Sequence, residues 1–224
     1  IPWQAGDLKE VKTTIREACV VPDWVAPSST TPIWPIMPRA PSDLGGEKVV
    51  SGGLTQSNSN ALRLGTAVHL LLETLPNTKQ SSWSGIAARL IDEDIFAAAL
   101  QEATGILTQP GLAHVFAPDS LAEVDITAHL PELDGDAIQG SIDRLIISSR
   151  TVLAVDFKTN QVVPDTPNQV PEGILRQMGA YAAALSQVFP DHEVQTAILW
   201  TKSQNLMPLP HHLVISSLQN TSSA

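Results

Sequence analysis

Apolar positions change period partway along the chain. From Ala61 to Pro76, Leu62, Gly65, His69 and Leu72/Glu73 recur at the spacing of one helix face, and Pro76 closes the run. A second helical stretch runs from about Ser82 to Leu90, and a third from Asp92 to Leu107, ended by Pro110-Gly111. Beyond Gly111 the texture becomes that of strands: His114–Ala117, Leu121–Leu130, Ala137–Ile147 and Thr151–Lys158. The last two are nearly continuous in apolar residues, as in central strands covered on both faces. A helix over about Glu172–Val188, a strand over Glu193–Thr201 and a short closing helix or strand at His211–Leu218 complete the pattern. This order predicts an α/β domain built on a mixed central sheet with flanking helices.

Residues 1–60 read differently. Proline is dense between Pro22 and Pro41, and Ser28 to Thr31 are all hydroxylated. Both features disfavour helix and central strand. The expectation is an extended Pro-rich arm or linker over 1–60, with a short helix around Asp7–Ala18 and a loop at Ser51–Asn60. The globular domain is then 61–224.

Composition narrows the chemistry. A chain of 224 residues removes roughly 70% of its unfolded surface from water, so no disulfide scaffold is required. Its single cysteine, Cys19, excludes an internal disulfide and any four-cysteine metal or iron–sulfur site. No run approaches the length of a membrane helix, and Ile1–Gly6 has neither a basic region nor an apolar core. A cytoplasmic protein without membrane contact is expected. The chain starts without methionine, which reads as a domain cut from a longer polypeptide. Net charge is −10, where a free-standing nucleic-acid binder is usually basic.

The informative segment is GSIDRLIISSRTVLAVDFKTN, residues 140–160. If 140–148 and 151–158 form a hairpin with a two-residue loop, Ser148 faces Thr151. Counting back along both strands then sets Asp143 opposite Asp156. Directly opposed residues share a face with Cβ atoms about 5 Å apart, where two like charges are destabilising. A divalent cation relieves that repulsion, and carboxylate oxygens are the ligands Mg²⁺ prefers. Lys158, two residues beyond Asp156, points to the same face. There an ammonium can stabilise charge developing on a phosphate. The Phe157 side chain should be core, while its carbonyl lies between the two functional side chains. The plainer alternative is two unrelated aspartates at strand ends and a solvated lysine.

Gln177 and Tyr181 share a helix face in RQMGAYAAAL. By themselves they read equally as a half-buried helix surface, just as His69 in AVHLLLE reads as a satisfied core histidine. Taken in order, however, the pieces resemble a known family. PSDLG (41–45), GTAVHLLLETLP (65–76), AEVDI (122–126), GSIDRL (140–145), VDFKTN (155–160), RQMGAYAAAL (176–185) and AILWT (197–201) resemble the RecB-family nucleases of the PD-(D/E)XK group. The likeness is greatest to the carboxy-terminal nuclease domain of AddA-type helicase–nuclease subunits, over roughly 40–210.

The resemblance implies a restriction-endonuclease-like core and Mg²⁺-dependent hydrolysis of DNA, with Mn²⁺ as a substitute ion. It implies His69, Asp143, Asp156 and the Phe157 carbonyl as metal ligands, and Lys158 beside the attacking water. Gln177 and Tyr181 would support the site and contact the DNA backbone. Glu123 matches an acidic position near the site, and Arg144 and Thr159 are candidates for phosphate contact or, equally, for simple surface positions. The cysteine-held iron–sulfur cluster of related AddB-type domains is not expected. The implied setting is double-strand break repair, with helicase domains of the same polypeptide delivering single-stranded DNA and an AddB-type partner subunit. The alternative is a catalytically silent nuclease-fold module that serves as a DNA- or partner-binding scaffold. A third possibility, a hydrolase of small phosphoesters, would require a deep enclosed pocket.

Overall fold

Ten helices and strands follow one another in the computed structural model, which describes residues 37–47, 58–160 and 162–221. Three helices come first: α1 (Asn58–Thr74), α2 (Trp83–Leu90) and α3 (Glu93–Leu107). The strands β1 (Leu121–His129), β2 (Ala137–Ile147) and β3 (Thr151–Lys158) follow. Then come α4 (Glu172–Val188), β4 (Glu193–Trp200), β5 (Asn205–Leu209) and α5 (His211–Gln219). The sheet order is β1-β2-β3-β4-β5, antiparallel except for the parallel pair β3–β4. A parallel pair needs a crossover, which α4 supplies. The expected mixed sheet with flanking helices is therefore present.

Each face of the sheet has its own core. On one side Val68, Leu71, Leu72 and Leu75 of α1 meet Val155 and Phe157 of β3. Small residues at helical spacing on α3, Ala99 and Ala103, let that helix approach closely. On the other side α4 and α5 cover Ile126, Ile138, Ile142, Leu145 and Ala154. The glycine and alanines of GAYAAA keep α4 thin; a methyl group on Gly179 would lie 2.4 Å from the Val214 carbonyl of α5. Truncating a fully buried leucine such as Leu72 to alanine costs about 2–5 kcal/mol.

Four expectations need correction or refinement. His114–Ala117 is not a strand: a 3-10 turn over Pro110–Leu112 continues into further turns, burying Leu112 and Val115 at a turn's spacing. The strand β5 does not emerge from the sequence pattern, because it contains Pro208. An edge strand tolerates proline, whose missing N–H can face outward. The polar stretch 51–60 is helical from Asn58 onward, and 51–57 lie outside the described residues. The closing segment is the helix α5. The predicted helix at 7–18, the densest part of the Pro-rich arm and Cys19 all fall outside the described residues. Within PSDLG, Pro41–Asp43 form a 3-10 turn, and Leu44 is buried in the α4-side core.

Candidate active site

The β2–β3 ladder follows the expected register, pairing Ile147 with Val152 and Arg144 with Val155. It then stops. Below that point β2 pairs with β1, apart from one bridge between Ile138 and Arg39, and beyond it β3 pairs only with β4. The sheet thus forks between Asp143 and Asp156. The Phe157 N–H, lacking a ladder partner, donates instead to Asp143 Oδ2.

A second irregularity lies on the same line. The β1–β2 pairing skips Glu123 and Asp143, and Glu123 takes a left-handed backbone at φ 48°. A non-glycine residue there costs about 1–3 kcal/mol, and such strain concentrates at functional sites. Alternation changes phase across the break. Ile138 and Ile142 face α4, yet so does Leu145, while Arg144 turns towards α1. Strict alternation would have pointed Asp143 and Asp156 to one face. Here Asp143 turns towards α1, its Oδ1 lying 3.4 Å from His69 Nδ1. Asp156 turns towards α4, its Oδ1 accepting a 2.7 Å hydrogen bond from Gln177 Nε2.

Two groups of side chains result. On the α1 side, donor atoms of His69, Glu123 and Asp143 all lie within 4.8 Å of one another. Ser141 Oγ donates to Glu123 Oε2 at 3.1 Å. On the α4 side Lys158 Nζ forms an ion pair with Asp156 Oδ2 and donates to Gln177 Oε1 at 3.2 Å. Gln177 Nε2 also reaches Tyr181 Oη at 3.3 Å, and Tyr181 Oη donates to the Ser141 carbonyl at 2.6 Å. Ser141 therefore links the two groups.

The cleft is about 580 Å³ and open along α1. Lining it are Gly65, His69, Glu73, Glu123, Asp143 and Lys158, with Phe157, Thr159 and Asn160. It is not the enclosed pocket that a small phosphoester would require. A larger concavity of about 930 Å³ beside the start of β4 holds none of these side chains. At Gly65 α1 comes close to the residue after β3: a methyl group there would meet the Thr159 hydroxyl at 2.9 Å.

The ionisation of the site follows from burial and mutual repulsion. Burial pushes Asp156 above the ordinary carboxylate range; Lys158 opposes this and Asp143 reinforces it. Burial, and then the charge of Asp143, raises Glu123. For His69, burial alone would favour the neutral ring. The hydrogen bond and charge of Asp143, with the charge of Asp156, outweigh it and leave His69 above its usual value. The Tyr181 hydroxyl is raised by burial and by Asp156, so it stays a donor.

This donor set suits a divalent cation. One imidazole nitrogen and two carboxylates converge, and repulsion between the carboxylates favours a positive charge among them. Nearby, the buried Asp156 Oδ2 is held by the Lys158 ammonium.

All the residues singled out from the sequence lie around the fork. Asp143 and His69 meet in the donor cluster, and Asp156, Lys158, Gln177 and Tyr181 form the network beside it. Glu123 joins the cluster, which Asp156 does not. Sequence reasoning misses Glu73, although its position one turn after His69 puts both on one helix face. Thr159 lines the cleft. Arg144 cannot touch a phosphate, being only 1% exposed.

The family model of the PD-(D/E)XK nuclease superfamily matches residues 45–213. No curated protein matches the chain. Among solved structures, one titled "Crystal structure of SSO0001" is 12% identical, with a TM-score of 0.30, over 72% of this chain and 84% of that one.

Proposed function

Because the chain belongs to the PD-(D/E)XK nuclease superfamily, we propose that it is a Mg²⁺-dependent deoxyribonuclease acting in the open cleft at the fork of its sheet. The observation that carries this reading is the meeting of Lys158 with the His69, Glu123 and Asp143 cluster in one cleft. His69, Glu123 and Asp143 would hold the ion, with Asp156 and the Phe157 carbonyl beside it. When bound, a divalent ion stabilises charge on a phosphodiester and eases deprotonation of an attacking water.

The chain's own groups do the rest. Lys158 presents an ammonium to the cleft, where it stabilises negative charge on the phosphoryl oxygens as water attacks and the P–O bond breaks. Gln177 fixes the Lys158 ammonium and the Asp156 carboxylate relative to each other. Tyr181 ties that pair to β2 through Ser141.

The wider setting rests on the resemblance to AddA-type nuclease domains. In that reading 1–60 are a Pro-rich arm or linker and 61–224 the nuclease domain of a cytoplasmic helicase–nuclease with an AddB-type partner, active in double-strand break repair. Helicase domains of the same polypeptide deliver single-stranded DNA. Tethering raises its local concentration at a domain whose net charge of −10 otherwise repels it.

The test is cleavage of end-labelled single-stranded DNA at low salt with Mg²⁺ or Mn²⁺, comparing wild type, Lys158→Ala and an EDTA control. Metal-dependent cutting that Lys158→Ala lowers by about a hundredfold or more supports the reading. Equal cutting by both proteins removes Lys158 from the mechanism.

A further inference from the structure

Arg144 is among the largest fully buried side chains and has no carboxylate within ion-pair distance among the described residues. A lone buried cation is ordinarily costly. Its Nη2 donates to the Leu72 carbonyl of α1 at 2.6 Å, Nη1 approaches Ser120 Oγ at 3.5 Å, and the guanidinium lies 5.2 Å from the Phe116 ring centre. Its Nε has no hydrogen-bond partner among the described residues. These neutral contacts orient the group without neutralising it.

Three of Arg144's backbone connections lie next to a carboxylate of the cleft. Asp143 precedes it in the chain. Its ladder partner on β1 is Ala122, the neighbour of Glu123. The carbonyl it holds on α1 belongs to Leu72, the neighbour of Glu73. All three acids line the cleft that Arg144 backs. The three are thus tied through the backbone to one buried positive charge that has no ion-pair partner among the described residues.

Resting on the proposed metal site, we infer that Arg144 is a positioning residue: a buried counter-charge that holds Asp143, Glu123 and Glu73 together, and α1 against β2, before a divalent ion arrives. Burial lowers Arg144's affinity for its proton, and the charges of Glu123, Glu73 and Asp143 partly offset that loss. When the ion enters, it takes over part of the compensation. The charge of Arg144 then opposes the incoming cation, so its contribution to order in the empty site comes with weaker metal binding.

The test compares Arg144→Gln and Arg144→Lys with wild type, each also carrying Glu123→Gln, by thermal melting in EDTA and by Mn²⁺ titration. If Arg144 is a counter-charge, Arg144→Gln loses less melting temperature in the Glu123→Gln background than in wild type. Equal losses in both backgrounds would mean a tether without electrostatic function and would overturn the inference. Arg144→Gln should also bind Mn²⁺ tighter, by about tenfold or more, because removing a like charge behind the site lessens the repulsion of the incoming ion. Arg144→Lys should keep wild-type affinity. Unchanged Mn²⁺ affinity in a folded Arg144→Gln protein would likewise overturn it. A neutral variant that is unfolded in EDTA but folds on adding Mn²⁺ supports the inference, and one that stays unfolded sinks it. If wild type binds no Mn²⁺, the metal site itself fails, and the melting cycle in EDTA still decides the role of Arg144.

Discussion

Gln177 serves Asp156 with its amide nitrogen, at 2.7 Å, and Lys158 with its amide oxygen, at 3.2 Å. One neutral side chain thus sets the orientation of a buried acid and of the base beside it. Gln177→Ala leaves Asp156 Oδ1 without that donor in a site where burial already disfavours its charge. A loss of about 1–3 kcal/mol is expected in urea denaturation, together with lower cleavage activity. Gln177→Glu should be worse than alanine, because it sets a second carboxylate against Asp156. A Gln177→Glu protein as stable as wild type would show that Asp156 is not ionised there.

The Tyr181 hydroxyl caps the Ser141 carbonyl at the fork. Tyr181→Phe keeps the ring and removes the donor. Its expected cost is about 1 kcal/mol, read from the urea midpoint with an unchanged slope. Larger losses would mean that the two prongs of the sheet depend on this bond for their arrangement.

Two glycines give opposite predictions for one substitution. Gly179→Ala places a methyl group 2.4 Å from the Val214 carbonyl, a backbone atom that cannot swing aside, so α4 and α5 must separate. About 1–3 kcal/mol of destabilisation is expected. Gly85 in α2 is exposed, and a methyl group there would have nothing within 4 Å. At this position alanine should stabilise by up to about 1 kcal/mol through helix propensity. Thermal melts of both variants check the pair.

Acidity should act on the empty and the metal-bound protein in opposite directions. His69 is held above the ordinary histidine value of about 6.5 when the protein is folded. Its proton therefore contributes stability that is fully present below that value and is lost as pH rises through the raised one. A metal-binding imidazole must be neutral, so Mn²⁺ affinity should rise across the same window. Melting in EDTA and Mn²⁺ titration between about pH 6 and 8 test both trends. His69→Gln should flatten the two curves together. A Mn²⁺ affinity indifferent to pH would remove His69 from the donor set.

Much of the fold was legible because the helices and the β2–β3 hairpin carry strong, regular periodicity. The register placing Arg144 against Val155 follows from the two-residue loop alone. The strand β5 was hidden by Pro208, which is permissible only because the strand is at an edge, and an edge is a tertiary fact. The site was legible as a set of residues and less so as a geometry. Alternation predicts that Asp143 and Asp156 share a face, but the left-handed turn at Glu123 and the phase change between Ile142 and Arg144 divide them between α1 and α4. Nothing in AEVDI announces that Glu123 leaves the strand conformation. Arg144, for which the resemblance offered a phosphate contact or a plain surface position, is instead buried.

The fork in the sheet also decides what travels with what. Glu123 and Asp143 ride on β1–β2, while Asp156 and Lys158 ride on β3–β4. In the ladder the two carriers share the four paired positions from Arg144–Val155 to Ile147–Val152, and across the fork only the Phe157–Asp143 hydrogen bond joins them among the bonds described. Small rocking about that short seam would change the gap between the carriers while leaving each strand pair's hydrogen bonds intact. The cleft is in this sense a pair of jaws: widening it would strain the Phe157–Asp143 and Tyr181–Ser141 bonds before it unpaired either jaw.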